Sequence, residues 1–181
     1  MSFELRGERV LLRALASDDI PTLVAYRNDP SVVRFQSWSS YSEERARELV
    51  SEMASSVPGR DGAWHQWGIS LDGELVGDIG LRTFDEARQG EIGFTLSPHA
   101  RGRGLAFEAC GLVLAHAFGK LRFHRVIASI DPLNAPAASL LGRLGFRREG
   151  LERASVFVHG AWADDERWAL LAEGFHSPRG E

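Results

Sequence analysis

The chain has 181 residues, of which 44% are hydrophobic, and this supplies enough apolar surface for one core without added cross-links. Its formal net charge of −4 argues against nucleic acid as a partner, because neutralising many phosphates requires a basic surface. The single cysteine, Cys110, excludes an internal disulfide framework. No run approaches the roughly 20 apolar residues of a membrane span. We therefore expect a cytoplasmic protein with no membrane partner.

The first third of the chain is expected to form one strand and two helices. A short apolar run bounded by charge predicts a strand over residues 9–15. A capping serine and two acids at residues 17–19 predict a helix that ends before Asn28. Helical spacing of apolar residues predicts a second helix over residues 42–55. An aromatic loop, residues 35–41, joins the two helices.

The middle third changes to a period of two. Apolar residues alternate between 65 and 81 and are interrupted by Asp72 and Gly73, which predicts a hairpin because both turn positions need positive φ. A further strand is predicted over residues 90–97. After a stretch rich in glycine and arginine, an apolar run predicts a long helix over residues 105–120.

The last third predicts a strand over residues 126–130, a helix over 134–144, and two strands over 154–158 and 162–171. His159 and Gly160 join the final two strands in a second hairpin.

These elements together predict the α/β (α+β) class, with one mixed sheet and helices packed on it. No repeat, linker or low-complexity segment divides the chain. We therefore expect a single domain over residues 1–175, followed by a frayed tail at 176–181. The apolar strand residues near the end are compatible with a homodimer.

The stretch between the strand at 90–97 and the following helix is typical of an anion site. Free amides at a helix N-terminus favour phosphate, and Gly102 and Gly104 would let the backbone approach it closely. Arg101 and Arg103 add positive charge. The dinucleotide fingerprint fails because its third glycine would fall at Phe107, and no Walker loop exists. The alternative interpretation is a surface turn with solvated arginines.

Two segments resemble the Gcn5-related N-acetyltransferase (GNAT) superfamily. The glycine-rich loop is similar to the family's pyrophosphate loop, [QR]-x-x-G-x-[GA], at Arg101, Gly104 and Ala106. The later segment resembles the second motif of the ribosomal-protein N-terminal acetyltransferase (RimJ/RimL-like) branch. Its matching residues are Asn134, Ser139, Leu144, Gly145, Phe146, Glu149 and Gly150. The spacing departs from the family pattern, because the first small position after the asparagine is Ala137 rather than Ser139.

The resemblance implies a GNAT-type, mostly antiparallel sheet of about seven strands with about four helices, splayed in the middle to admit acyl-CoA. It implies that backbone amides from about Arg101 to Ala106 bind the coenzyme A pyrophosphate, that Asn134 binds the pantetheine arm, and that an amide near Phe94 or Thr95 stabilises the oxyanion. The implied coenzyme-binding residues are Phe94, Thr95, Leu96, Arg101, Gly102, Arg103, Gly104, Leu105, Ala106 and Asn134. From its position alone, Asn134 is equally explained as a helix cap.

Acyl transfer to an amine requires amine deprotonation, oxyanion stabilisation and thiolate protonation. Glu91 is the candidate base, because the resemblance places its strand near the thioester. The alternatives are a solvated carboxylate or a partner of Arg88, and a water relay could replace a base. Ser139 is the candidate acid. Cys110, within an apolar helix, is interpreted as a small buried hydrophobe rather than a nucleophile.

Trp38 and Tyr41 of the aromatic loop are candidates to line the acceptor pocket, with core packing as the alternative. No spacing of histidine, cysteine and acidic residues indicates a metal site. The predicted function is an N-acyltransferase that moves an acetyl, or another acyl group such as succinyl, from acyl-CoA to a primary amine of a protein N-terminus or small molecule. A non-catalytic acyl-CoA sensor and a domain that has lost the site are the competing hypotheses.

Overall fold

The computed structural model describes residues 3–176, so the predicted tail at 176–181 lies outside the described residues except for His176. Within this range eight strands follow the chain: β1 (Leu5–Arg6), β2 (Val10–Arg13), β3 (Trp64–Leu71), β4 (Glu74–Phe84), β5 (Gln89–Leu96), β6 (Arg125–Ile130), β7 (Arg147–Val158) and β8 (Ala161–Leu171). The α-helices of the same range are α1 (Ile20–Arg27), α2 (Pro30–Val33), α3 (Glu43–Ala54), α4 (Leu105–Gly119) and α5 (Ala135–Arg143). No helix of this range is long and apolar enough to cross a membrane.

The strands form one sheet in the order β1-β2-β3-β4-β5-β6-β8-β7. All neighbouring strands are antiparallel except β5 and β6, which are parallel. This confirms the predicted mixed, mostly antiparallel sheet. The predicted count of about seven strands is one too low for the described residues, because β1 is only two residues long and presents no alternation to read.

The parallel pair separates soon after it begins. Only three residue pairs join β5 to β6, and they are Gln89 with Arg125, Gly90 with Val126 and Glu91 with Ile127. Both strands continue beyond this point, β5 to Leu96 and β6 to Ile130. The sheet therefore opens in its middle, at the carboxyl ends of its two parallel strands.

Helix α2 was not predicted, although its start carries a recognisable signal. Asp29 precedes it in an extended conformation, and its carboxylate accepts a hydrogen bond from the Ser31 amide. Pro30 occupies the first helical position, where its missing N–H costs nothing. From the sequence, these residues are interpreted only as the end of α1. The expected number of about four helices is therefore one too low for the described residues.

Both predicted hairpins are present. Asp72 and Gly73 join β3 to β4 with φ of 52° and 90°, and His159 and Gly160 join β7 to β8 with φ of 51° and 78°. Positive φ at both turn positions matches the twist of antiparallel strands.

Strand β7 starts at Arg147, well before the predicted Ala154. Almost all of its residues are exposed, so the first half shows no apolar alternation. The pairing with β8 shifts register between Glu152 and Val156, and Ala154 lies in this bulge with φ of 46°. The Asp164 carboxylate accepts a hydrogen bond of 2.8 Å from the Ala154 amide and so holds the bulge.

The core lies on both faces of the sheet. The larger cluster packs α4 against the central strands, and a smaller one packs α1 and α3 on the opposite face. The most completely buried side chains include Leu12, Trp67, Ile69, Ile79, Leu81, Leu105, Val113, Leu114 and Phe123. Helix α4 is apolar over most of its surface and fixes the position of the loop that precedes it.

Candidate active site

The loop before α4 has the geometry of an anion cradle. Gly102 and Gly104 both adopt left-handed conformations, with φ of 73° and 76°, which glycine reaches without strain. Gly104 is the cap of α4, and no side chain accepts from the first helical amides. Within residues 3–176, the amides of residues 102–107 have no acceptor in the protein. These N–H groups and the positive end of the helix dipole therefore face outward together.

An arginine near the start of the chain, 94 positions before the loop residue it contacts, holds this loop. The Arg9 guanidinium donates to the Arg103 carbonyl at 2.7 Å and to the Glu108 carboxylate at 2.9 Å. The same carboxylate accepts from the amides of Arg9 and Val10 at 2.8 and 3.1 Å. Burial opposes the charge of Glu108, but these donors outweigh it and lower the pKa of the carboxyl. Sequence reasoning missed Arg9, because nothing near it in the chain indicates the contact.

The arginines at this site differ in their roles. Arg101 lines the space in front of the loop and donates to the Ser31 hydroxyl at 3.0 Å. Arg143, from α5, lies 4.7 Å over the Phe107 ring and faces the same space. The Arg103 side chain is exposed, and it does not line this space, although its backbone belongs to the loop.

A groove of about 440 Å³, here called the loop groove, opens in front of the cradle. All predicted coenzyme-binding residues except Arg103 line it, together with the candidate acid Ser139. They are Phe94, Thr95, Leu96, Arg101, Gly102, Gly104, Leu105, Ala106, Asn134 and Ser139. The structure thus brings together residues from β5, the glycine-rich loop, α4 and α5.

A second cavity of about 240 Å³, here called the gap cavity, lies where β5 and β6 separate. Residues 92–94 and 128–131 of the two strands form its walls, and residues 163–165 of β8 close it. It adjoins the loop groove, because the two share five lining residues: Phe35, Gln36, Phe94, Asn134 and Ala137. A long ligand lying in the loop groove can therefore reach the gap between the strands.

The backbone of Phe94 points into this gap. The Ser97 amide donates to the Val76 carbonyl of β4, and alternate residues of a strand face the same neighbour. The N–H and C=O groups of Phe94 and Leu96 therefore face the other side, toward β6, where the pairing has ended. Phe94 therefore provides a backbone donor beside both cavities that has no partner in the described part of the chain.

Asn134 serves as the cap of α5, since its side-chain oxygen accepts from the Ala137 amide at 3.3 Å. It also lines both cavities, so capping does not remove it from the site. Ser139 lies one turn further along α5, exposed to the loop groove, and its hydroxyl has no partner among the described residues.

Glu91 lies apart from both cavities. Its side chain is 20% exposed and sits 3.6 Å from the Arg82 guanidinium on the neighbouring strand. Arg88, the partner considered from the sequence, instead pairs with Asp85 and Glu86. Within the described chain, Glu91 lines neither the loop groove nor the gap cavity.

Trp38 and Tyr41 pack over the Arg27 guanidinium, with ring centroids at 5.1 and 4.5 Å. Arg27 is buried in an ion pair with Asp78, with N–O distance 2.8 Å, and the Trp38 indole donates to its carbonyl. Neither ring lines either cavity of the described residues, and both belong to the smaller hydrophobic cluster. The first half of the aromatic loop, residues 35–37, lines the cavities instead.

A carboxylate that the sequence reasoning did not single out, Asp165, lies at the gap cavity and is only 8% exposed. Burial raises the pKa of its carboxyl, although the Arg167 charge and a hydrogen bond from Ser129 oppose the shift. The nearby charges of Glu152 and Glu91 raise the pKa further. The acidic pair of the last hairpin, Asp164 and Asp165, is visible in the sequence and both members line the cavity, but only the fold shows that Asp165 is the buried one.

Cys110 is fully buried in α4, and burial raises the pKa of its thiol well above the ordinary range. The reactive thiolate is therefore suppressed. No group of three metal-ligating side chains occurs in the described part of the chain.

Comparison of the sequence with models of protein families identifies the family of this chain. The model of the acetyltransferase (GNAT) domain matches residues 9–147. The chain belongs to the GNAT acetyltransferase family.

Its relatives support this membership along nearly the whole chain. The uncharacterized N-acetyltransferase YnaD of Bacillus subtilis (strain 168) is 27% identical, over 92% of this chain and 95% of YnaD. The spermidine N(1)-acetyltransferase of Escherichia coli (strain K12) is 26% identical, over 90% of this chain and 86% of that protein.

One solved structure, Mycobacterium smegmatis RimJ in complex with CoA-disulfide, is 26% identical with a TM-score of 0.81. The match covers 95% of this chain and 87% of RimJ. The predicted family is confirmed, and the predicted RimJ/RimL-like branch is consistent with this similarity. The chain is a GNAT-family N-acetyltransferase.

Proposed function

We propose that this protein transfers an acetyl group from acetyl-CoA to a primary amine, on a protein N-terminus or a small molecule, by direct attack in a ternary complex. The observation that carries the proposal is the run of acceptor-free amides at residues 102–107, which opens onto a groove leading to the split between β5 and β6. The complex of the similar RimJ with CoA-disulfide supports coenzyme A as the ligand of this groove.

The residues present fit coenzyme A. The amides of the loop would bind its pyrophosphate, with Arg101 and Arg143 supplying positive charge at the groove wall. The pantetheine arm would lie between the separated strands, where Asn134 lines both cavities. In that position the unpaired backbone groups of β5 would gain the partners that β6 does not supply.

The reaction would take place where the two cavities meet. The amine attacks the thioester carbon, and the Phe94 amide stabilises the developing oxyanion. Ser139, with a hydroxyl free to donate, would protonate the departing thiolate. Holding both substrates in one orientation supplies a large part of the rate enhancement. Among residues 3–176, no group competes for the Phe94 amide.

A direct test is to incubate the protein with acetyl-CoA or succinyl-CoA and a panel of spermidine, a lysine derivative and a short peptide with a free α-amine. Release of free coenzyme A thiol and the mass of the acceptor are then followed. We expect at least one amine to be acetylated faster than the uncatalysed background. Tight binding of coenzyme A without turnover of any amine would favour the sensor hypothesis instead.

The loop is tested separately by Gly104→Glu. The substitution strains a left-handed position and places negative charge where pyrophosphate would lie, so we expect calorimetric binding of coenzyme A to be lost. Gly119→Glu, at the far end of α4 where a Cβ meets no atom within 4 Å, is the matched control and should bind normally. Equal affinity of the two variants would remove the loop from the site.

A further inference from the structure

The gap cavity contains a buried carboxylate without a cationic partner. Asp165 is 8% exposed and lines the cavity, yet it forms no ion pair with any residue from 3 to 176. The cation nearest to it along the strand, Arg167, is already bound by Glu152 at 3.2 Å and by the Ser129 hydroxyl at 2.6 Å. A buried carboxylate in this state is stabilised by any cation that enters the cavity.

The other charged groups around the cavity do not supply that cation. Its lining contains the carboxylates Asp131, Asp164 and Asp165 and a single guanidinium, Arg34, which stacks on the neighbouring Phe35 ring at 5.0 Å. Beside the lining carboxylates, the charged groups of the packed strands are Glu91 on β5, Arg125 on β6, Glu166 and Arg167 on β8, and on β7 Arg147, Arg148, Glu149, Glu152 and Arg153. Arg125, Arg148 and Arg167 are bound by Glu149, Glu166 and Glu152. Arg147 and Arg153 are exposed and do not line the cavity. Among the residues that line the cavity the balance of charge is therefore negative, and the Asp164 carboxylate already accepts from the Ala154 amide.

The position of the cavity suits the second substrate. It shares Phe94 and Asn134 with the loop groove, so a group bound beside Asp165 lies in the same cavity as the Phe94 residue. Val156, Val158 and Ala163 give the cavity an apolar wall beside the carboxylate. Such a site fits an alkylammonium group, with its charge at the carboxylate and its carbon stem along the wall.

We propose that Asp165 binds the acceptor amine as its ammonium ion and accepts the proton whose loss makes the amine nucleophilic. This inference rests on the function proposed above and assigns to Asp165 the role that the sequence analysis gave to Glu91. The ammonium nitrogen loses one proton to the Asp165 carboxylate, and its lone pair forms the C–N bond. The C–S bond then breaks, and the second proton of the nitrogen goes to the thiolate sulfur. Asp165 returns its proton to water.

The electrostatics of the site agree with this role. Burial, together with the charges of Glu152 and Glu91, raises the pKa of Asp165 and makes its carboxylate a stronger base than an exposed one. Glu91 acts through this field, as a positioning charge rather than a proton acceptor. Removing a neighbouring carboxylate should therefore lower the pKa of Asp165 without removing the base.

The test measures kcat/KM against pH for wild type, Asp165→Asn and Glu152→Gln with the best amine of the panel. In the wild type, kcat/KM should rise with pH at values below the pKa of the free amine, because the enzyme binds the ammonium form and removes its proton. In Asp165→Asn we expect kcat/KM near neutral pH to fall by roughly 100-fold. The pH at which kcat/KM rises should move to the pKa of the amine itself. Coenzyme A affinity should stay unchanged.

Glu152→Gln is the matched control, since it removes a carboxylate beside Asp165 and leaves the proposed base in place. The rise of kcat/KM with pH should shift to lower pH in this variant, and its activity at high pH should be retained. An Asp165→Asn enzyme with wild-type rate and profile would overturn the inference while leaving the transferase function intact. Absence of turnover in wild type would overturn the function itself.

A second measurement does not depend on turnover. Carboxyl carbons of aspartate are followed by NMR in the wild type, and the Asp165 signal is identified by its loss in Asp165→Asn. Addition of spermidine should shift this signal and lower its apparent pKa, because the ammonium favours the charged carboxylate. A signal that ignores spermidine and every other panel amine would contradict the inference.

Discussion

Glu108 illustrates how one carboxylate can hold a binding loop in place. It accepts hydrogen bonds from two amides and from the Arg9 guanidinium, which in turn binds the Arg103 carbonyl. Gly7 makes this possible, because a Cβ there would lie 2.2 Å from the Glu108 carboxylate. Four residues thus connect the edge of the sheet to the anion cradle.

Glu108→Gln should lower the free energy of unfolding by about 1 to 2 kcal/mol at pH 7, because charge-assisted hydrogen bonds are replaced by neutral ones. Folding lowers the pKa of Glu108, so its contribution is present above the pKa of the unfolded carboxyl and is lost as pH falls through the folded value. Urea unfolding at pH 7 and at about pH 3.5 should therefore show a difference that shrinks in acid.

The exposed Glu48→Gln on α3 is the control and should change stability by less than about 0.5 kcal/mol. If Glu108→Gln were equally harmless at neutral pH, the loop would not depend on this carboxylate.

Site residues that carry a local signal could be predicted from the sequence, and those defined by distant contacts could not. Because glycine readily adopts positive φ, the identity of Gly102 and Gly104 indicates a left-handed backbone, and both residues have it in the structure. Arg9 and Asp165 acquire their positions only when strands far apart in the chain become neighbours. The sequence offers Trp38 either a place in the acceptor pocket or one in the core, and only the fold shows that its ring packs over the buried Arg27 guanidinium.

At the scale of elements, the open pairing of β5 and β6 positions the site. The close approach of β4 on the other side holds β5 in place. Gly77 pairs with Leu96, and a Cβ at Gly77 would lie 2.3 Å from the Thr95 carbonyl. Since this atom belongs to the backbone, the strands would have to separate at the residues that line the loop groove.

Gly77→Ala should therefore reduce stability by more than 1 kcal/mol, within the range of overpacked positions, and weaken coenzyme A binding. Gly142→Ala, exposed in α5 with no atom within 4 Å of its Cβ, is the matched control and should stabilise by about 0.5 to 1 kcal/mol. Thermal unfolding and calorimetry check both. Equal stability of the two variants would contradict the tight contact between β4 and β5.

The elements that sequence reasoning found are those whose patterns have a clear period. The hairpin of β3 and β4 alternates cleanly and carries an Asp-Gly turn, and α4 is long and apolar. Strand β1 is too short to show a period, and the charged first half of β7 is exposed on both faces. The parallel contact between β5 and β6 joins strands that are separated in the chain by α4, so no local pattern predicts it. Only the family resemblance indicated a sheet that is open at its centre.

For the whole molecule, coenzyme A binding should appear as thermal stabilisation. A ligand at 100 times its dissociation constant stabilises a folded protein by about 2.7 kcal/mol. For a chain of this length, that corresponds to a rise in Tm of roughly 5 to 10 °C. Gly104→Glu should show no such rise, and unchanged melting of the wild type with excess coenzyme A would argue against any site for it.

The clasp between Arg9 and the Arg103 carbonyl has a consequence for protein engineering. The two partners lie 94 positions apart, on a sheet edge and in the cradle. A chimera that receives only the glycine-rich loop would contain its backbone amides but would lack the Arg9 contact that holds them in place. Transferring this site to another protein therefore requires the segment that carries Arg9 as well as the glycine-rich loop. A circular permutation would have to preserve the contact between the two.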